Sequence, residues 1–173
     1  MRRFEKILPA ILTVWPYLFF LFFIVPDKTG KNHGLFLIIY TFLTIIIYGF
    51  NIYNAFAFQN SDVKLAFYGM MVKLLQIPFY LAGFAVGMLC LFVMAVPAFL
   101  FISPVLIFML ALVEFFLMAV SSMYGISAAI RMTKKRKLSK TWAVVYMIAH
   151  FIFVADVISA VCLYIAAKKK LFQ

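Results

Sequence analysis

Apolar residues fill five long runs in this 173-residue chain, and the polar positions between those runs mark where helices must end. The longest run, Leu74 to Ile130, carries one formally charged side chain, Glu114. A bilayer's hydrocarbon core is about 30 Å thick and a helix rises about 1.5 Å per residue, so about 20 residues cross it once. The run is 57 residues long and must cross twice. Its reversal belongs between Pro97 and Pro104, since neither nitrogen can donate to a helix and each biases its predecessor out of helical geometry. The pattern therefore predicts an all-α, polytopic membrane helix bundle. About five transmembrane helices are expected, at 7–25, 35–58, 74–96, 105–130 and 142–167, within one integral membrane domain covering 1–173.

The interruptions have distinct characters. Pro26 to Gly34 is dense in turn formers and reads as the first loop. His33 lies there with no second ligand nearby, which suits solvation better than metal binding. Gln59 to Asp62 is the next loop, with Ser61 or Asp62 as N-cap of a helix starting at Val63. The first run is too long for a signal peptide's apolar core and ends in Phe-Phe-Ile-Val-Pro, so it reads as a retained span. Pro16 deprives the Leu12 carbonyl of its helical partner, a kink that Thr13 or a neighbouring helix can repair with a donor. Such a kink serves as a gate or, more commonly, as a packing feature. From Asp62 to Gln76 the polar or small residues Asp62, Ala66, Gly69, Lys73 and Gln76 recur at helical spacing. That stripe reads as interfacial, belonging to a helix in the headgroup layer or, the favoured choice, to a cytoplasmic extension of a long third helix bent at Pro78.

Composition and charge sharpen the class. At 68% apolar and 12% charged residues, the chain cannot be covered by the polar surface of a soluble protein. The formal net charge of +11 is carried by residues just outside the apolar runs. That placement fits anionic lipid headgroups and not nucleic acid. Arg131, Lys134, Lys135, Arg136, Lys137 and Lys140 are the headgroup-binding candidates. With five spans and a cytoplasmic N-terminus, Arg2, Arg3, Lys6, Lys64, Lys73 and those six lie inside, eleven cations, against five outside, Lys28, Lys31 and Lys168 to Lys170. The positive-inside rule then sets the N-terminus in the cytoplasm of a cell membrane and the C-terminus outside, with the terminal lysines as the one violation.

No metalloprotease, phosphate-loop, nucleophile-elbow or dinucleotide motif is present, so neither a cofactor nor a metal is expected. Cys90 and Cys162 are isolated and read as small apolar fillers, with a disulfide between them the lesser alternative. The chemistry-bearing candidates are the intramembrane ionisable residues Glu114, Asp156 and His150, which must face the interior or be neutralised. About a loop midpoint near Arg136, Glu114 and Asp156 fall level with each other, where two carboxyls in low dielectric would share a proton. The alternative is that each separately bonds a serine or tyrosine and only holds helices together. On a continuous helix His150 stands about 120° from Asp156, which argues against one shared ligand. Ser121 shares the Glu114 stripe. In the second span Thr41, Thr44, Tyr48 and Asn51 occupy one face, directed into the bundle as interhelical glue or a polar lining. Gly83 and Gly87 form a Gly-x-x-x-Gly pair for close helix approach, within the chain or between copies.

The segment Asn60 to Tyr80, containing Lys73-Leu-Leu-Gln-Ile-Pro-Phe-Tyr80 after a polar turn, resembles small bacterial multi-pass membrane proteins of uncharacterised function. The resemblance implies a membrane fold and no activity. Three functional classes follow: an interaction or accessory subunit, first by elimination of catalytic motifs; a proton- or cation-coupled permease acting as an oligomer; and an intramembrane lipid-modifying enzyme. The partners expected are the bilayer, a second copy or another membrane protein.

Overall fold

The structure, a computed structural model, describes residues 4–19, 31–59 and 61–169. These form six α-helices and no strand: α1 (Phe4–Leu18), α2 (Lys31–Ala57), α3 (Asp62–Val93), α4 (Ile102–Lys134), α5 (Lys140–Ala149) and α6 (Phe153–Lys169), with a 3-10 turn at Pro97–Phe99. Three stretches are long and apolar enough to cross a membrane, Gly34–Ala57, Asp62–Val93 and Ile102–Lys134. Helix α1 has 15 residues, about 22 Å at helical rise and less than the hydrocarbon thickness. The rest of the expected first span and most of the expected first loop lie outside the described residues; Lys31 to Gly34, expected in that loop, instead form the first turn of α2.

Helices α3 and α4 are the antiparallel pair expected on either side of Pro97. Their register is constant along the whole contact. Asp62 faces Lys135, Lys73 faces Ser121 and Ser122, Gly69 faces Tyr124 and Gly125, and Gly83 faces Glu114. Ser61 accepts from the Lys64 amide and caps α3, which then runs without interruption through Pro78. Helix α2 lies alongside α4 in the same direction, since Asn51 and Asn54 meet Tyr124 while Arg131 reaches the carbonyls of Phe56 and Phe58.

The expected fifth span does not exist as one helix. It breaks at His150–Ile152, and α5 and α6 fold back on each other as a hairpin. Ser159 and Asp156 of α6 return to His150 at the end of α5, and Tyr146 lies in the field of Cys162. Alongside α3, Phe153 packs on Tyr80, Asp156 bonds Lys73 and Tyr164 packs on Phe67. At the outer end a cleft of about 100 Å3 is lined by Asp62, Met132, Lys135 and Ala167. The start of α5 and the end of α6 thus lie at the same end of the bundle as the Arg131 to Lys140 cations, in place of the opposite ends that a continuous span requires. No glycine or proline marks the break, and for that reason hydropathy reads 142–167 as continuous.

The Asp62 to Gln76 stripe is also corrected. Asp62, Ala66, Gly69, Lys73 and Gln76 are all buried against the other helices, so the polar face points inward and not to headgroups. Gln76 donates from its Nε2 to the Leu12 carbonyl at 3.3 Å. The bond that Pro16 removes from α1 is replaced from α3, while Thr13 donates to Pro9. Helix α4 ends with Arg136 at φ 56°, the left-handed residue of a Schellman motif in which the Lys137 amide donates to Met132 at 2.8 Å and the Arg136 amide to Thr133 at 3.0 Å.

Around an apolar core that includes Phe58, Leu65, Val72, Leu117, Tyr124 and Met132, the bundle also buries polar side chains. Asn51, Asn54, Lys73, Gln76, Ser121, Ser122, His150 and Asp156 are buried, while Ile38, Phe42, Ile45, Phe84, Phe92, Phe101 and Val154 are exposed. Burying polar groups against one another and leaving large apolar side chains outside is the arrangement in which polar groups find partners away from lipid.

Candidate functional site

Where the hairpin tip meets α3 and α4, six polar side chains converge. Lys73 comes from α3, Ser121 and Ser122 from α4, His150 from the break, and Asp156 and Ser159 from α6. All six are buried, Lys73 and His150 completely. Lys73 Nζ donates to Asp156 Oδ1, to Ser122 Oγ at 2.9 Å and to Ser121 Oγ at 3.4 Å. An ammonium has three hydrogens, and each has an acceptor here. Both serines in turn donate to backbone carbonyls: Ser121 to Met118 at 3.0 Å, while the single hydroxyl hydrogen of Ser122 is shared between Met118 at 2.7 Å and His150 at 2.8 Å. The helix break releases the His150 carbonyl, and Ser122 collects it.

His150 Nδ1 faces Ser159 Oγ at 2.5 Å and Asp156 Oδ1 at 3.2 Å. The Ser159 hydroxyl already donates to the Asp156 carbonyl at 2.9 Å. Nδ1 must therefore carry the ring hydrogen, an assignment made from the bonding pattern. Nε2 is left bare, buried and without a hydrogen-bond partner. It points at Gly125, where an added Cβ would stand 2.0 Å away. Gly125 is the space the imidazole occupies.

A serine next to a lysine invites comparison with a serine–lysine dyad. The lysine of a serine–lysine dyad must accept a proton, and Lys73 is a fully engaged donor opposite a carboxylate.

The expected pairing of Glu114 with Asp156 does not occur. The chain turns back at His150–Ile152, which sets Asp156 level with Ser122, eight residues and about 12 Å along α4 from Glu114. Glu114 is half-buried on the α3 side, its Oε1 without a hydrogen-bond partner and lodged where a Gly83 Cβ would be, at 1.7 Å. Tyr80 stands in the field of both carboxyls. The same turn brings His150 and Asp156 together, against the 120° separation of a continuous helix. Ser121 joins Lys73 and not Glu114.

The remaining candidates divide. Thr44 accepts from Trp15 Nε1 at 2.7 Å and donates to Tyr40, Asn51 accepts from the Tyr124 hydroxyl at 2.7 Å, and Tyr48 packs on the core. Thr41 is exposed, outside that inward face. Gly87 has only ordinary contact with Leu110, 3.8 Å from an added Cβ. Arg131 is turned inward onto the end of α2, and Lys135 pairs with Asp62 at 2.8 Å. Lys134, Arg136 and Lys140 are exposed. Cys90 and Cys162 are free thiols, and the described residues hold no group of three or more metal-ligating side chains.

Sequence reasoning missed Lys73, Ser122, Ser159 and Gly125. The available signal was Lys73 itself, a cation on the same face as Gly69 and Gln76, the small and polar residue types that line helix contacts in membranes. Neither a curated protein nor a solved structure matches the chain. The sequence profile of a family of unknown function, DUF6652, matches residues 11–170, and the chain belongs to that family.

Proposed function

We propose that this protein is a multi-pass membrane protein of four crossings and a re-entrant C-terminal hairpin, with both termini in the cytoplasm, acting as an interaction or accessory subunit. Bringing the end of α6, with Lys168 and Lys169, to the side of the loop cations leaves twelve cations inside, two outside (Lys28 and Lys31) and Lys73 buried. The single violation of the positive-inside rule disappears.

The observation that carries the accessory reading is that the charged cluster is closed. Lys73, Asp156, Ser121 and Ser122 spend their bonds on one another, and the two buried polar side-chain atoms without a partner among the described residues, His150 Nε2 and Glu114 Oε1, are packed against Gly125 and Gly83. A carrier needs polar groups with bonds to offer a passenger, as does a lipid-modifying enzyme. Reconstitution of the purified protein into liposomes tests the reading. Proton and monovalent-cation flux should equal that of protein-free vesicles. Flux above that background which disappears in Asp156→Asn would establish the coupled permease instead.

A further inference from the structure

We propose that His150 Nε2 is a proton-binding site, and that its occupation releases α5 from α4 while α6 stays in place. The imidazole is fully buried, its Nδ1 hydrogen is spent on Ser159 and Asp156, and Nε2 faces Gly125 with no partner. A protonated imidazole has two N–H donors. In this geometry the second would point at a glycine Cα, and a buried donor without an acceptor costs the full desolvation of that group. The groups around the ring offer no relief. Helix α3 presents Lys73, already a cation; α4 presents Ser121, Ser122 and Gly125, with Glu114 about two turns away. Helix α6 presents Ser159 and Asp156, whose charge Lys73 already balances. On α5 the nearest titratable side chain is Tyr146, one turn back and beside Cys162. The proton is accommodated when Nε2 leaves Gly125 and meets water or headgroups.

The two arms of the hairpin are unequally held. Of the ten residues of α5 only Ala143 is buried. Helix α6 buries Asp156, Ser159, Ala160, Leu163 and Ala167 and is tied to α3 by the Lys73 ion pair. The break at His150–Ile152 is the joint between them, and α5 can swing about it while the ion pair stays closed.

Spin–spin distance measurement in nanodiscs tests this, in a Cys90→Ala, Cys162→Ala background. Labels at the exposed positions Phe116 and Ile148 report α4 to α5, and labels at Phe116 and Ile158 report α4 to α6. The first pair should gain a longer component on acidification from pH 7.5 to 5. The ratio of components should change by no more than about tenfold per pH unit, the limit for one proton. The second pair should not move. His33→Gln should keep the response and His150→Gln should remove it. Gly125→Ala, which drives a methyl into the ring's place, should show the longer component already at pH 7.5. Unchanged distances in the wild type, or a response surviving in His150→Gln, would overturn the proposal, and neither outcome depends on Gly125→Ala folding.

Discussion

Asp156→Asn keeps an acceptor oxygen within reach of Lys73 and removes only its charge. The ammonium then retains Ser121 and Ser122 but lies uncompensated in a site where it is completely buried. Removing one member of a buried ion pair costs about 3–5 kcal/mol, mostly for the stranded charge. Lys73→Met strands Asp156 in the same way, with only His150 Nδ1 and Ser122 left beside it. The double variant strands nothing, because Ser121 and Ser122 keep their bonds to Met118 and the asparagine oxygen can accept from His150. It should cost no more than the milder single variant, a coupling of about 3 kcal/mol. Unfolded helices that remain in the membrane also find polar partners, which pulls each single value toward the lower end. Reversible unfolding in mixed micelles, followed by the fluorescence of Trp15 and Trp142, measures all four corners of the cycle. Additivity within about 0.5 kcal/mol would refute the ion pair as the element holding α6 to α3.

Four further outcomes are expected. Cysteines introduced at Ser139 and Lys168 should both react with impermeant reagents from the cytoplasmic side only; reaction of Lys168→Cys from outside would restore the continuous fifth span. Alanine at Gly87 should be neutral or stabilising by up to about 1 kcal/mol, and at Gly83 mild, because the Glu114 side chain can swing away. At Gly125, where a ring must move, it should cost about 1–3 kcal/mol in the same unfolding assay. Arg136→Gly should stabilise by about 1 kcal/mol, since glycine takes the left-handed position without steric cost. Arg131→Gln should speed amide exchange at 54–58 by fraying the end of α2, whose carbonyls it holds.

Helix class, the end of α2, the reversal near Pro97 and the Ser61 cap are legible in the sequence because each rests on local chemistry. So is the need of the Leu12 carbonyl for a donor, although not its source in Gln76. What hydropathy cannot convey is whether a mostly apolar run of 26 residues goes straight or doubles back, since lipid is satisfied either way. The break at 150–152 is held by Ser122 on the His150 carbonyl and by Lys73 on Asp156, partners 28 and 83 residues distant. Periodicity likewise grouped Asp62, Gly69, Lys73 and Gln76 on one face but carried no sign for which way it points. Had the terminal lysines been weighed as evidence against five spans, the hairpin would have been within reach.

The 83 residues that separate Lys73 from Asp156 also set an order of events. Translation at about 5–20 residues per second delivers the carboxylate about 4–17 s after the lysine. During that interval α3 holds an ammonium with no counter-charge, and only the headgroup layer or the aqueous interior of the insertion machinery can harbour it. The last helix made is therefore what allows an earlier one to settle. A chain released before α6 is synthesised leaves the lysine without its carboxylate.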